Sequence, residues 1–153
     1  MKGVRAETLH AIILMALIAG LAFSVWSAWE TTHPQGSSVC DVNSVVSCGK
    51  VATSGDTAIQ LGSLSIPFWS IGIGGFVAML VVDIPLYLTW RRELLFALTA
   101  LSILGAIATL YFIYQEVAVV GAICPVCTGA HVCNFGVLGS SLALLLTTRS
   151  RDD

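Results

Sequence analysis

Charge is what this sequence has least of. Asp, Glu, Lys and Arg make up 10% of its 153 residues, and 56% are apolar. A soluble domain carries about 25% charged residues, so a water-soluble globular fold is excluded. The net charge of −2 and the lack of a basic patch leave no handle for nucleic acid. A dinucleotide or flavin fingerprint is missing too, because Gly72-Ile73-Gly74-Gly75 lies inside an apolar run and not between a strand and a helix. No His/Glu cluster surrounds His10 or His33. They read as an interfacial and a loop histidine, not as metal ligands. The first apolar run is too long for a signal-peptide core and has no small-residue cleavage site, so it reads as retained. No internal repeat or low-complexity segment stands out. The length suits a single integral membrane domain over residues 1–153.

What is present is apolar length. Four runs, at about 8–29, 64–88, 94–114 and 125–146, are each able to cross a bilayer core of about 30 Å as a helix. Trp26 and Trp29 mark the exit of the first. Pro67 is tolerated in the first turn of the second. Asp83, read as a helix-end residue, and Pro85 either stop that span or kink it on the way to Trp90. Small residues four apart, Ser70/Gly74, Gly105/Thr109 and Gly136/Ser140, suit close helix packing. Residues 30–63 form the one long polar loop. In it Asp41 or Asn43 is placed to cap a short helix over Val42–Val51, and Ser54-Gly55-Asp56 reads as a turn. Glu116 and Lys50 read as solvated charges. The expected fold is an all-α membrane protein, a four-transmembrane-helix bundle with a short loop helix.

Positive charge sets the orientation. Lys2, Arg5, Arg91, Arg92, Arg149 and Arg151 fall on one side of four spans, and Lys50 on the other. The positive-inside rule puts both termini in the cytoplasm and the loop outside.

Of five cysteines, four form two pairs on that outer face: Cys40 with Cys48, and Cys124 with Cys127. Cys133 lies within the last span and reads as a small apolar residue. Cys124-Pro125-Val126-Cys127 opens the last span. Pro125 fits the first helical position, and free N–H groups there favour a thiolate. Cys40 and Cys48 suit either a structural disulfide, which in the chain-entropy model stabilises by roughly 2.6 kcal/mol, or a shuttle pair in a Gly/Ser/Thr-rich loop. The four sulfurs are compatible with zinc, but the wide spacing of the first pair favours thiol–disulfide exchange. Electrons would enter at the loop pair, pass to the helix-end pair and leave to a lipid-soluble acceptor at the membrane edge. A quinone is the natural one. Tyr111, Phe112 and Tyr114, with Phe68 and Trp69, are placed either to line its pocket or to form an aromatic belt.

The run Cys40-Asp41-Val42 to Cys48, then Ser54, Ile66-Pro67 and Cys124-Pro125-Val126-Cys127, resembles the vitamin K epoxide reductase family and its prokaryotic homologues. The DsbB family does similar work but carries its Cys-x-x-Cys in the first loop. The resemblance implies a helix bundle around a quinone, capped by the loop helix. It implies that Cys40 takes electrons from a thioredoxin-like (DsbA-like) protein, that Cys48 attacks at Cys124, and that Cys127 faces the quinone. Ser54 matches a supporting loop serine. His131 matches a tyrosine near the quinone carbonyl. Ser63-Leu64-Ser65 stands where the vertebrate enzyme has a quinone-contacting asparagine, so that contact is either missing or replaced, with Ser65 the candidate replacement. No thioredoxin-like domain is fused within the sequence, so the partner is expected to be separate. The expected location is a prokaryotic plasma membrane, or the endoplasmic reticulum membrane in a eukaryote. The expected activity is disulfide formation without flavin or metal. Its alternatives are vitamin K epoxide reduction by the same relay, and a non-enzymatic tetraspan with structural disulfides or zinc.

Overall fold

A computed structural model of the chain describes residues 2–33, 40–54 and 58–149. Residues 34–39 of the Gly/Ser/Thr-rich loop, the Gly55-Asp56 part of the expected turn, and Arg151 lie outside the described residues. The elements are α1 (Lys2–Thr32), α2 (Cys48–Thr53), β1 (Ala58–Leu61), β2 (Leu64–Pro67), α3 (Phe68–Thr89), α4 (Arg92–Tyr114), a π-helical turn (Gln115–Val120) and α5 (Pro125–Arg149). Four helices are long and apolar enough to cross a membrane, which makes this a multi-pass membrane protein. They are apolar on their outer faces as well: Met15, Val81, Leu104 and Leu146 all point outwards. A helix that is hydrophobic all round needs lipid or protein on every side.

Around the bundle the neighbours run α1, α3, α4, α5 and back to α1. One end of the bundle is solid. Ile13 and Leu17, Met79 and Leu86, Leu95 and Leu98, and Val137 and Leu144 close it, one pair from each helix. All eight come from the halves nearest the chain ends and the α3–α4 turn. The other end, where α1 finishes and α5 begins, is hollow and carries the cysteines.

Several boundaries differ from expectation, each for a local reason. The second span begins at Phe68, because residues 58–67 pair as an antiparallel hairpin, Ile59 opposite Ile66. Gly62 supplies the left-handed turn residue at φ 64°. Pro67 is then the N-cap of α3. This helix runs through Asp83 and Pro85 to Thr89. The loop helix is shorter than Val42–Val51. Asn43 Oδ1 accepts from the N–H groups of Val45 and Val46 (2.9 and 2.8 Å), which makes a tight turn of that segment. The helix therefore starts only at Cys48, capped by Ser47. Among the small-residue pairs, Gly105 faces the Asn134 side chain and Gly136 lies by Ala16, but Gly74 meets nothing. Gly72 makes the close approach instead, against Ser24 of α1.

His10, expected at the interface, and Asp83, expected at an interfacial helix end, are both buried. His10 and Asp83 are 2% and 1% exposed, with Nε2 and Oδ1 3.3 Å apart. Because α3 continues past Pro85, Asp83 lies inside the bundle and not at a helix end.

Candidate functional site

The hollow end is assembled by main-chain bonds that set its register. Val46 and Ile123 form an isolated parallel bridge. Ile123 N–H donates to the Val45 carbonyl (2.7 Å), and Ser47 N–H donates to the Ile123 carbonyl (3.2 Å). Cys48 follows two residues beyond the bridge, at the start of α2, and Cys124 one residue beyond it. A slip of one residue would move a sulfur by about 3.3 Å, out of reach of its neighbour.

Cys48 is then held by its helix cap. Ser47 Oγ accepts from Lys50 N–H (3.0 Å) and donates to Asp41 Oδ1 (2.8 Å). The same Asp41 oxygen accepts from Gly49 N–H (3.0 Å). A Cβ at residue 49 would meet that carboxylate at 2.8 Å, so glycine makes room for it. Ser54 ends the same helix, its Oγ donating to the Val51 carbonyl (2.9 Å).

The four sulfurs lie in sequence from loop to cavity. Cys40 and Cys48 are joined as a disulfide, and Cys124 and Cys127 are thiols. Cys124 Sγ is 3.4 Å from Cys48 Sγ. It also takes the place of a capping oxygen at the start of α5, accepting from Cys127 N–H (3.2 Å). Cys48 and Cys124 are buried with Val51 and Ala122 in a small core of their own. Cys127 packs against this core and, alone of the four, also lines a cavity of about 100 Å³.

All four long helices line that cavity: Phe23, Ser24 and Ser27 from α1; Phe68, Gly75 and Phe76 from α3; Thr109 and Phe112 from α4; Cys127, His131 and Asn134 from α5. The rings of Phe68 and Phe112 lie 4.1 Å apart at its mouth. Most of the wall is apolar, and a few polar groups converge on it, the usual character of a small-molecule site. His131 Nε2 and Asn134 Oδ1 are buried without a hydrogen-bond partner among the described residues. A ring with carbonyl groups fits such a wall: flat apolar faces, and oxygens for the histidine N–H.

Of the expected pocket residues, Phe68 and His131 are on the wall. Tyr111, Tyr114 and Ser65 are not. The two tyrosines are 43% and 61% exposed on the outer face of α4, because the inward face of that helix is taken by Phe112 and Thr109. Tyr111 Oη accepts from the Gln115 amide (2.8 Å). Ser65 lies exposed on β2, since the hairpin carries it outside the bundle.

Glu116 was expected in solvent and is 3% exposed. The π-helical turn swings its side chain inwards, and Gly121 closes that turn at φ 63°. Oε2 accepts from Cys124 N–H (3.2 Å). Oε1 is 4.0 Å from His131 Nε2. The one charge between Leu94 and Thr148 was a signal available in the sequence, since an ionisable residue near a membrane core is a functional suspect. Among the described residues no group of three His, Cys, Asp or Glu side chains is arranged to hold a metal ion.

A membrane bundle with cysteine pairs in contact at the mouth of an apolar cavity is the framework of a membrane thiol oxidoreductase. The model of the vitamin K epoxide reductase family matches residues 11–142, and the chain belongs to that family. Comparison with the curated proteins gives no match. The family is one of redox enzymes that use quinones.

Proposed function

We propose that the protein oxidises a thioredoxin-like protein outside the cytoplasm and passes the electrons to a membrane quinone, so supporting disulfide formation. The observation that carries this reading is the order of the sulfurs. Cys48 touches Cys124 at 3.4 Å, and Cys127 alone of the four reaches the large cavity.

The steps follow from thiol exchange. A partner thiolate attacks the Cys40–Cys48 disulfide at Cys40, and the partner's second thiolate displaces Cys40. The partner leaves oxidised, and Cys40 and Cys48 are left as a dithiol. Cys48 then attacks Cys124 in a Cys124–Cys127 disulfide and expels Cys127. Cys40 resolves the Cys48–Cys124 bond. The Cys124/Cys127 dithiol finally gives two electrons and two protons to quinone, its second substrate, and becomes a disulfide again. The arrangement with Cys40–Cys48 oxidised and Cys124/Cys127 reduced is the one that precedes this last step. Phe68 and Phe112, packed on each other, offer the quinone ring an aromatic wall, and His131 is the donor to one of its oxygens.

The test is quinone-dependent oxidation of a reduced thioredoxin-like protein by purified protein, with each cysteine replaced in turn. Cys127→Ser is expected to abolish quinol formation, and Cys40→Ser to abolish turnover of the protein thiol. Normal turnover by Cys40→Ser would overturn the order of the relay. A vitamin K epoxide run beside the quinone tests the alternative acceptor.

A further inference from the structure

The relay must also move protons, and the residue placed to do so is Glu116. We infer that its carboxylate takes the thiol proton from Cys127 as the Cys124/Cys127 pair is oxidised, and delivers it through His131 to the quinone oxygen. The inference rests on the proposed quinone reaction.

Oxidising a dithiol to a disulfide releases two electrons and two protons, and a quinone becoming a quinol takes up the same number. The S–S bond forms between Cys124 and Cys127, two S–H bonds break, and two O–H bonds form. Most of the cavity wall is apolar, so a protein group is needed to carry each proton from sulfur to oxygen. Glu116 has the right contacts on both sides. It lines the cavity together with Cys127 and His131, so that thiol, carboxylate and imidazole share one wall. Oε2 is anchored by Cys124 N–H. That leaves Oε1 facing His131 Nε2 at 4.0 Å, a nitrogen with no hydrogen-bond partner among the described residues. The carboxylate is thus fixed by one oxygen and open by the other. A residue serving only as an N-cap substitute for Cys124 would have no need to face the cavity.

Glu116→Gln separates proton transfer from architecture, since the amide oxygen still accepts from Cys124 N–H but the side chain takes no proton. In single-turnover stopped flow, with Cys124 and Cys127 reduced beforehand, quinol formation is expected to slow by about 10²-fold, the low end for positioned acid–base groups. Glu116→Asp, which keeps the carboxylate, should recover part of that loss. Exchange of the oxidised protein with a reduced thioredoxin-like protein, measured without quinone, should stay within about twofold of wild type. Wild-type quinol formation by Glu116→Gln would overturn this inference and leave the relay standing. A loss in Glu116→Gln that extends equally to the quinone-free exchange would also overturn it, because the residue would then be structural. Absence of quinone reduction in the wild-type protein would instead remove the reading on which it rests.

Discussion

Cys48 owes its place to one hydroxyl and one carboxylate. Ser47 Oγ caps α2 and is itself held by Asp41, so the sulfur one residue later inherits their rigidity. Ser47→Ala removes both bonds. Loss of an N-cap costs about 1 kcal/mol, enough to loosen a six-residue helix that propensity alone does not support. Exchange between the two cysteine pairs, followed by trapping the Cys48–Cys124 mixed disulfide, is expected to slow several-fold. Quinol formation from the pre-reduced Cys124/Cys127 pair should not change, and Ser47→Thr should behave as wild type. An unchanged exchange rate in Ser47→Ala would mean that the Val46–Ile123 bridge positions Cys48 without help. The sulfurs themselves were legible in the sequence, because a Cys-x-x-Cys at a helix start has few other uses. Glu116 was not. Hydropathy ends the third span near Tyr114, and nothing local tells that the chain continues as a π turn aiming residue 116 inwards. Tyr111 and Tyr114 mislead for the same reason: on a helix, which face looks inwards is settled by the neighbours and not by the residue type.

At the scale of elements, α1 and α3 are pinned together where the bundle is solid. His10 and Asp83 face each other at 3.3 Å but are not aligned as a hydrogen bond, and both His10 nitrogens and Asp83 Oδ1 lack one among the described residues. Tyr87 and Trp90 cover the imidazole with ring centroids at 5.0 and 5.7 Å. Trp90 does so from a left-handed backbone (φ 50°), an unusual state for a bulky residue. Removing one member of a buried pair strands the other, at a cost on the order of 3 kcal/mol. His10→Leu and Asp83→Leu should each lower the Tm in detergent, and the double substitution should recover most of the loss. A loss in the double variant equal to the sum of the two single losses would show that the two residues do not interact. The four spans were readable because lipid demands long apolar helices. The hairpin was not: β1 and β2 have four residues each, and Ile66-Pro67 ahead of an apolar run also suits a helix start. Its one local signal is Gly62-Ser63, a two-residue turn between β-capable segments.

Taken whole, the molecule is asymmetric along its long axis, and its chemistry depends on that axis lying one way across the membrane. The solid end holds the α3–α4 turn with Arg91 and Arg92, and both chain ends lead away from it. The hollow end holds every cysteine pair and, among the described residues, the single lysine of the loop, whose Nζ leans on the Ser44 and Gly121 carbonyls at 3.5 and 3.4 Å. Six positive charges against one predict, by the bias of cytoplasmic loops for Lys and Arg, that the hollow end faces out. A relay that oxidises secreted proteins works only if the hollow end faces out, where disulfides persist. The orientation can be read in a protein whose five native cysteines are all serine. One reporter is Val42→Cys, at a residue 74% exposed beside the relay. The other is Glu93→Cys, exposed at the start of α4. In intact cells a membrane-impermeant maleimide should label the first fully and the second only after permeabilisation. The reverse pattern would put the cysteines in the cytoplasm and remove extracytoplasmic disulfide formation as the function, whatever the purified protein does with a quinone.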